Sequence, residues 1–543
     1  GEPGLANWLV SAGPYYRLTD SLGRFEMFAD AGSTPVAVYP PLAYWQVCPG
    51  FDTVTFAQTG DTAFLDIPVS SVVECPYTEI NITSVGIRPC FETTFFVNYC
   101  NLGTAAADSA SALIVFPPEL DFVSAGIPVF QQSGDSLWFN LGTLAPNECG
   151  NYQVKFLADC DSTLLGQTLC IEAYIFPDTI CLPDTSWSGA EVKVTAQCIN
   201  DQEVKLTIRN IGNAPTTPTL QYLIIEDQVV LYEGPFQLNP NDFLEFTEPA
   251  DGSFWRISAD QEANFPAPSM PTAWVEGCGG LEIPGLVDDY FFNDGANSVD
   301  IECRVVTSSF DPNDKQAFPE GYGAEHFIEP GTEITYLIRF QNTGTDTAFN
   351  VILRDTLDAW LDPSTLRPGA ASHPYEFYVV GPGILKVWFK NILLPDSNVN
   401  EAASHGFFQY RVKMRPDIPL GRQIFNRAAI YFDFNAPVLT NRTFHTVGKD
   451  FYTVAVKDVS SAAGIKLTVA PNPFRETARF MVDGADTGPF ELQVFDAAGR
   501  RVRREKFAGP ELLFRRNGLP AGFYFFEVLL NGQRVASGKM IAE

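Results

Sequence analysis

Oxygen-bearing side chains are the most chemically suggestive residues in this chain of 543 residues. Asp311, Asn313 and Asp314 place three oxygen donors within four positions, and Asp433 and Asn435 stand two apart, which on a strand puts them on one face. Ca²⁺ takes about six to eight oxygens from carboxylates, amides and carbonyls, so these five residues form a candidate calcium site. The same runs serve equally well as turns whose side chains cap their own backbone. Catalytic groups are sparser. The four histidines (His326, His373, His405, His445) fall in one stretch, and Ser372–His373 and Ser404–His405 are adjacent pairs. Neighbours on a strand point to opposite faces, so neither pair is read as a nucleophile with its base. There is no His-Glu-x-x-His, no Gly-x-Ser-x-Gly and no Gly-rich phosphate loop. Nothing in the spacing of the carboxylates selects a glycosidase pair. The expectation is a protein that is not an enzyme, with no catalytic residues and no cofactor beyond Ca²⁺.

Sulfur is the next reactive group. Eleven cysteines occur: Cys48, Cys75, Cys90, Cys100, Cys149, Cys160, Cys170, Cys181, Cys198, Cys278 and Cys303. None shows the Cys-x-x-Cys spacing of zinc or redox sites, so they are read as disulfides, with one thiol left over. If Cys90 to Cys100 is one strand, its ends lie roughly 33 Å apart, and each must pair with another strand or loop. Cys170 and Cys181 flank a turn at Pro177 and are expected to close a hairpin.

The elements that must position these groups are short strands. Apolar runs of four to eight residues, 42 Gly, 40 Pro and 13% aromatic residues describe an all-β chain long enough for several domains. The formal charge is −30 and is uneven: residues 1–200 carry 5 Lys+Arg against 21 Asp+Glu, residues 458–543 carry 12 against 10. An acidic body repels polyanions, which excludes nucleic acid as a partner. No window of the length needed to span a bilayer as a helix is apolar enough. The chain opens at Gly1 without a signal peptide, and a mature or truncated form is expected.

An internal repeat organises the middle of the chain. Residues 97–105, 208–214 and 340–346 share a strand ending in Asn, a turn at Gly103, Gly212 or Gly344, and a small-residue exit, at intervals of 109 and 132 residues. That is the size of one immunoglobulin-like sandwich each. Gly166 and Gly421 precede a second shared landmark. The expected domains are an incomplete module at 1–73, a Cys-rich sandwich at 74–191, sandwiches at 192–304 and 305–448, a linker at 449–464 and a terminal β-sandwich at 465–543.

The terminal domain carries an ordered set of motifs: Pro471-Asn472-Pro473-Phe474, a hairpin ending at Gly499-Arg500, a strand holding Gly522 and Tyr524, and Gly538-Lys539. The set resembles the C-terminal sorting domain of type IX secretion system cargo of Bacteroidetes-type bacteria. That resemblance implies export to the cell surface or beyond, with an outer-membrane translocon as partner. The 305–448 sandwich resembles a module that often precedes such domains. The segment from Gly1 to Trp45 resembles prealbumin-like surface modules but lacks their first strand. An unpaired strand edge is a template for another strand. The two expectations are a fragment of a longer polypeptide, or a head-to-tail polymer in which a neighbour donates the missing strand.

Twelve of 35 aspartates are followed by Ser or Thr, against roughly five from average composition. Nine of these form a triplet that resembles the O-glycosylation acceptor of Bacteroidetes exported proteins, at Ser21, Thr53, Thr62, Ser109, Ser136, Ser162, Thr179, Thr347 and Thr356. The resulting expectation is a secreted or surface-displayed structural or adhesive protein, a filament or stalk subunit. A translocon-bound cargo and a glycan-binding or hydrolytic surface protein are the alternatives, and the partners are self-association or surface glycan.

Overall fold

The computed structural model describes residues 4–48, 53–160, 165–178, 186–217, 219–266, 270–280, 285–290, 297–307, 312–381, 383–449, 451–454, 466–470, 472, 474–483, 489–496, 500–520, 522–530 and 533–542. Among the described residues the regular elements are strands, with two short 3-10 turns, and no helix is long and apolar enough to cross a membrane. Strand formation follows from period-2 burial: in Thr168–Phe176, Leu169, Ile171, Ala173 and Ile175 face the core. Two units result, Gly1–Tyr222 with Gly234–Phe451, and Leu223–Glu233 with Tyr452–Glu543.

In the larger unit, the first sandwich packs a four-stranded sheet containing Glu92–Asn101 and Cys149–Ala158 against a five-stranded sheet containing Ala107–Val115, Ser136–Leu144 and Thr168–Phe176. Its core is Ile80, Phe95, Val97, Ile114, Phe139, Phe156 and Ile171 with their neighbours. The fifth strand of the second sheet is Val299–Val305, antiparallel to Thr168–Phe176 with Cys170 opposite Cys303. The sequence boundary at 191/304 is therefore corrected. The second sandwich, whose sheet Val192–Ile199, Glu203–Asn210, Phe243–Pro249 begins just after it, is inserted between two adjacent strands of the first. Linear reading missed this because a β-pair leaves no local trace in sequence.

The third sandwich faces Lys315–Phe318, Glu333–Gln341, His405–Lys413 and Arg367–Ala371 against a sheet containing Val351–Thr356, Ile384–Phe389, Glu376–Val380 and Ala428–Phe432. That second sheet continues into the N-terminal segment: Tyr15–Leu18 pairs with Glu376–Val380, followed by Leu9–Ala12, Gly32–Tyr39 and Thr53–Phe56. Residues 1–73 are thus no separate module, and the edge expected to await a neighbour's strand is filled within the chain. The pairing leaves no free edge along Tyr15–Leu18, and the sheet ends instead at Thr53–Phe56. Arg17 stacks 4.5 Å over Tyr378 beside the join.

The three repeats prove to be one device built three times. Asn101 Nδ2 donates to Ala105 O at 2.8 Å and Leu144 O at 2.9 Å, and its Oδ1 accepts Gly103 N at 3.0 Å. Asn210 repeats this with Ala214, Leu238 and Gly212, at 2.8, 3.1 and 3.0 Å. Asn342 does so with Asp346, Leu394 and Gly344, at 2.8, 3.0 and 3.1 Å. Each amide is buried, and satisfying three backbone groups with one side chain is what pins the exit loop to a distant segment of the chain. The shared glycine landmark also recurs: Gly166 N donates to Val306 O and Gly421 N to Val447 O, both glycines at positive φ.

The smaller unit holds a three-stranded and a four-stranded sheet, the latter Arg501–Ala508, Pro489–Asp496, Gly522–Leu530, Gln533–Ala542, around Phe474, Phe480, Phe490, Phe514, Phe526 and Met540.

Candidate functional site

The first and third sandwiches of the larger unit are joined by a polar seam. Arg411 pairs with Glu79, Arg339 Nη1 reaches the Val85 carbonyl, Gln409 Nε2 stands 3.3 Å from Thr83 Oγ1, and Phe96 packs edge-on against Phe407 with ring centres 4.7 Å apart. Behind it, Asp300 accepts Asn81 Nδ2 at 2.9 Å and Ile82 N at 2.7 Å, while Glu302 accepts Ser84 N at 2.9 Å and pairs with Arg304 at 2.6 Å. Burial pushes the Asp300 carboxyl up to about 7, against the Ile82 N–H and Arg411, which pull it down. Burial raises Glu302 and Asp288 as well.

A cleft of about 1720 Å³ opens above this seam. The N-terminal segment forms one wall, held to the first sandwich by Trp8 Nε1 donating to Asn147 Oδ1 at 2.8 Å and to the third by the Tyr15–Leu18 pairing. Phe28 and Phe64 lie in the lining and are 88% and 96% exposed. The opposite walls supply Asn98, Asn151 and Gln153 from the first sandwich and Arg367, His373 and Tyr375 from the third. Solvent-facing phenyl rings over amides and guanidinium groups suit a ligand with an apolar face and hydroxyl edges.

Of the five carboxylates in the cleft lining, Glu26 is exposed and the other four are engaged. Asp20 accepts Leu22 N and Arg24 N, Asp61 accepts Ala57 N and Gln58 N, Glu79 holds Arg411, and Glu376 holds Lys390 and the Tyr378 hydroxyl. One expectation needs correction. Ser372 and His373 do touch, with Nδ1 2.8 Å from Oγ, because the strand Arg367–Ala371 has ended and alternation no longer applies. Ser372 Oγ also accepts Phe407 N at 2.9 Å and stands 3.3 Å from Phe407 O, so the hydroxyl brackets two chain segments together. Burial lowers the His373 pKa. Buried His445 is pushed down to about 4 and its Nε2 donates to Pro319 O. His326 Nδ1 lies 2.8 Å from Glu320 O. Ser404 and His405 do not bond each other; Gln341 Nε2 spans them at 2.9 and 3.1 Å.

Three of the candidate calcium residues, Asn313, Asp314 and Asp433, already use side-chain oxygens within the fold. Asp311 lies outside the described residues. Asn313 Oδ1 accepts Gln341 N at 3.1 Å, and Asp314 forms a two-point pair with Arg339. Asp433 accepts Phe349 N at 3.0 Å and Asn350 N at 2.7 Å. Ala428–Phe432 ends before Asp433, which has φ +50°, so Asp433 and exposed Asn435 do not share a strand face as expected. Elsewhere among the described residues, Cys198, Asp201 and Cys278 come within ligand range, but the two sulfurs are a disulfide.

The cysteines pair as Cys90–Cys160, Cys100–Cys149, Cys170–Cys303 and Cys198–Cys278; Cys75 is also disulfide-bonded, and Cys48 is free. The hairpin expected between Cys170 and Cys181 is corrected by the Cys170–Cys303 bond; Cys181 lies outside the described residues. Of the glycosylation candidates, Ser21, Thr53, Thr62, Ser109 and Thr356 are exposed, Ser136 and Thr347 are half-buried, and Ser162 and Thr179 lie outside the described residues.

In the smaller unit, the motif residues have structural tasks. Asn472 Oδ1 accepts Ile541 N at 2.8 Å, Phe474 is buried, Tyr524 Oη donates to Pro520 O at 2.9 Å, and a Cβ on Gly538 would meet Phe526 at 2.6 Å. Gly522 sits at φ +149°, Arg500 is exposed and Lys539 lies within Gln533–Ala542; Pro471, Pro473 and Gly499 lie outside the described residues.

Residues 311–446 match a family described as a domain of unknown function (DUF7619). No curated protein matches. Similar solved structures include the C-terminal domain of the AgI/II polypeptide BspA of Streptococcus agalactiae, at 9% identity over 69% of this chain and 100% of that one, TM-score 0.18. The collagen adhesin of S. aureus matches at 9% identity over 69% and 93%, TM-score 0.17. The major pilin SpaA of Corynebacterium diphtheriae matches at 10% over 59% and 89%, TM-score 0.19. At scores this low the likeness carries no argument about this chain.

Proposed function

We propose that this chain is a secreted or surface-displayed structural and adhesive protein of a Bacteroidetes-type bacterium. Its joined sandwiches form a platform for a glycan-binding cleft, and its terminal β-sandwich is the type IX sorting signal read by the outer-membrane translocon. The observation that carries the binding reading is the pair of nearly fully exposed phenyl rings, Phe28 and Phe64, in the lining of a polar-walled cleft. Rings on loops, with no apolar core behind them to gain, are placed for stacking rather than for packing. With four of the five lining carboxylates engaged and Glu26 left as a single exposed one, the cleft favours binding over hydrolysis by a carboxylate pair. Surface sugar on the exposed Asp-Ser and Asp-Thr hydroxyls is part of the same reading, as is a stalk role. The Asp314 pair with Arg339 and the Asp433 bonds to Phe349 N and Asn350 N favour a structural role for these carboxylates over Ca²⁺.

A glycan array probed with the full chain and with Phe28→Ala/Phe64→Ala tests the cleft. Binding should fall at least tenfold in the double variant with unchanged melting; equal binding by both forms refutes it. Deleting residues 465–543 in a type IX-competent host should leave the protein inside the cell, and undiminished export would refute the sorting role.

A further inference from the structure

Lys315 begins the strand Lys315–Phe318, and its side chain is fully buried; Asp355, on Val351–Thr356 of the facing sheet, is 1% exposed. Lys315 Nζ contacts Asp355 Oδ2 and stands 3.1 Å from Tyr410 Oη. Tyr410 Oη in turn donates to the same Asp355 Oδ2 at 2.6 Å and accepts Asn426 Nδ2 at 3.0 Å. The tyrosine hydroxyl therefore touches both Nζ and the carboxylate oxygen. The surroundings are apolar or aromatic, with Nζ 4.3 Å from the Tyr336 ring centre and 5.2 Å from that of Tyr410. Asp355 Oδ1 is buried without a partner.

As an ion pair this arrangement is poor. Two charges are taken out of water, and one carboxylate oxygen is left without any donor. Burial pulls the lysine's pKa down, which favours the neutral, nucleophilic amine over the ammonium. An amide in the same place would carry no charge and one acceptor fewer.

We propose that Lys315 and Asp355 react to form an intramolecular amide bond that ties the two sheets of the third sandwich together. Proton transfer within the ammonium–carboxylate pair gives amine and carboxylic acid. The Nζ lone pair attacks Cγ, an N–C bond forms, the Cγ–Oδ2 bond breaks, and Oδ2 departs as water. Tyr410 Oη, in contact with both Nζ and Oδ2, relays the proton from the attacking nitrogen to the leaving oxygen. No oxidant, reductant or further reactant is consumed. Asn426, donating to Tyr410, is a positioning residue.

Peptide mapping of the full chain after complete reduction of its disulfides decides the matter. The expected result is one branched species joining the Lys315 and Asp355 peptides and lacking the mass of one water. Separate peptides at full mass overturn the proposal. So does a branched species joining Lys315 to Asn426 and lacking the mass of ammonia, which would make the amide the acyl partner. Lys315→Arg, measured as a denatured chain so that folding is immaterial, should recover the missing mass, and a persisting deficit overturns the assignment. Tyr410→Phe keeps both linking groups and should leave a fraction of chains unlinked; linkage as complete and as fast as in the parent removes the relay.

Discussion

The first and third sandwiches share the buried asparagine clamp and the same two-sheet plan, yet they are fastened by different chemistry. In the first, disulfides tie Cys90 to Cys160, Cys100 to Cys149 and Cys170 to Cys303. The third contains no cysteine, since the last in the chain is Cys303, and its facing sheets meet instead at Lys315, Asp355 and Tyr410. The clamp orders one exit loop and ties it to a single distant carbonyl; it is not a covalent connection between strands. Each sandwich adds its own cross-strand or cross-sheet connection, one in sulfur and the other in polar groups that only a dry core makes reactive.

The largest break in that comparison should come from sulfur. Cys170→Ala with Cys303→Ala should lower the stability of the first sandwich by about 2–5 kcal/mol. Calorimetry should show its transition moving down while that of the third sandwich stays in place, and a common shift would mean that the two do not melt independently. The clamp should then behave alike in both. Asn101→Ala and Asn342→Ala each strand buried backbone carbonyls, and each should cost about 1–3 kcal/mol in denaturant unfolding. Unequal costs would show that the repeated geometry carries unequal weight.

A smaller effect concerns the seam between them. Asp300 has a folded pKa of about 7 against an ordinary 3.8, so between those values the folded state binds the extra proton. Stability should therefore rise as pH falls from 7 towards 4, and the destabilisation is fully present above 7. Subtracting the pH profile of Asp300→Asn from that of the parent isolates this contribution. Identical profiles would show that the carboxyl is better solvated than its surroundings imply.

The sequence announced what is local. Period-2 apolar runs produced the all-β reading, and the Asn–Gly turns at Gly103, Gly212 and Gly344 marked the three repeats because one side chain and its own loop complete most of each clamp. Distant pairing stayed hidden. Val299–Val305 lies 123 positions beyond the end of Thr168–Phe176, and no residue in either strand names its partner. The same holds for Tyr15–Leu18 and Glu376–Val380. At the calcium candidate, the oxygens of Asn313 and Asp314 carry the signal in sequence, while the unusual residue in the fold is the adjacent Lys315. A lysine signals nothing by its type alone, and becomes notable only once folding has removed all water from it.

The insertion of the second sandwich has a mechanical meaning. Thr168–Phe176 and Val299–Val305 lie side by side, and the Cys170–Cys303 bond joins them covalently. A pull applied to the two ends of the polypeptide passes from one strand to the other through that bond. Residues 171–302 then sit on a short-circuited branch of the tether: they can open, or carry a bulky surface ligand, without lengthening the line that bears the load.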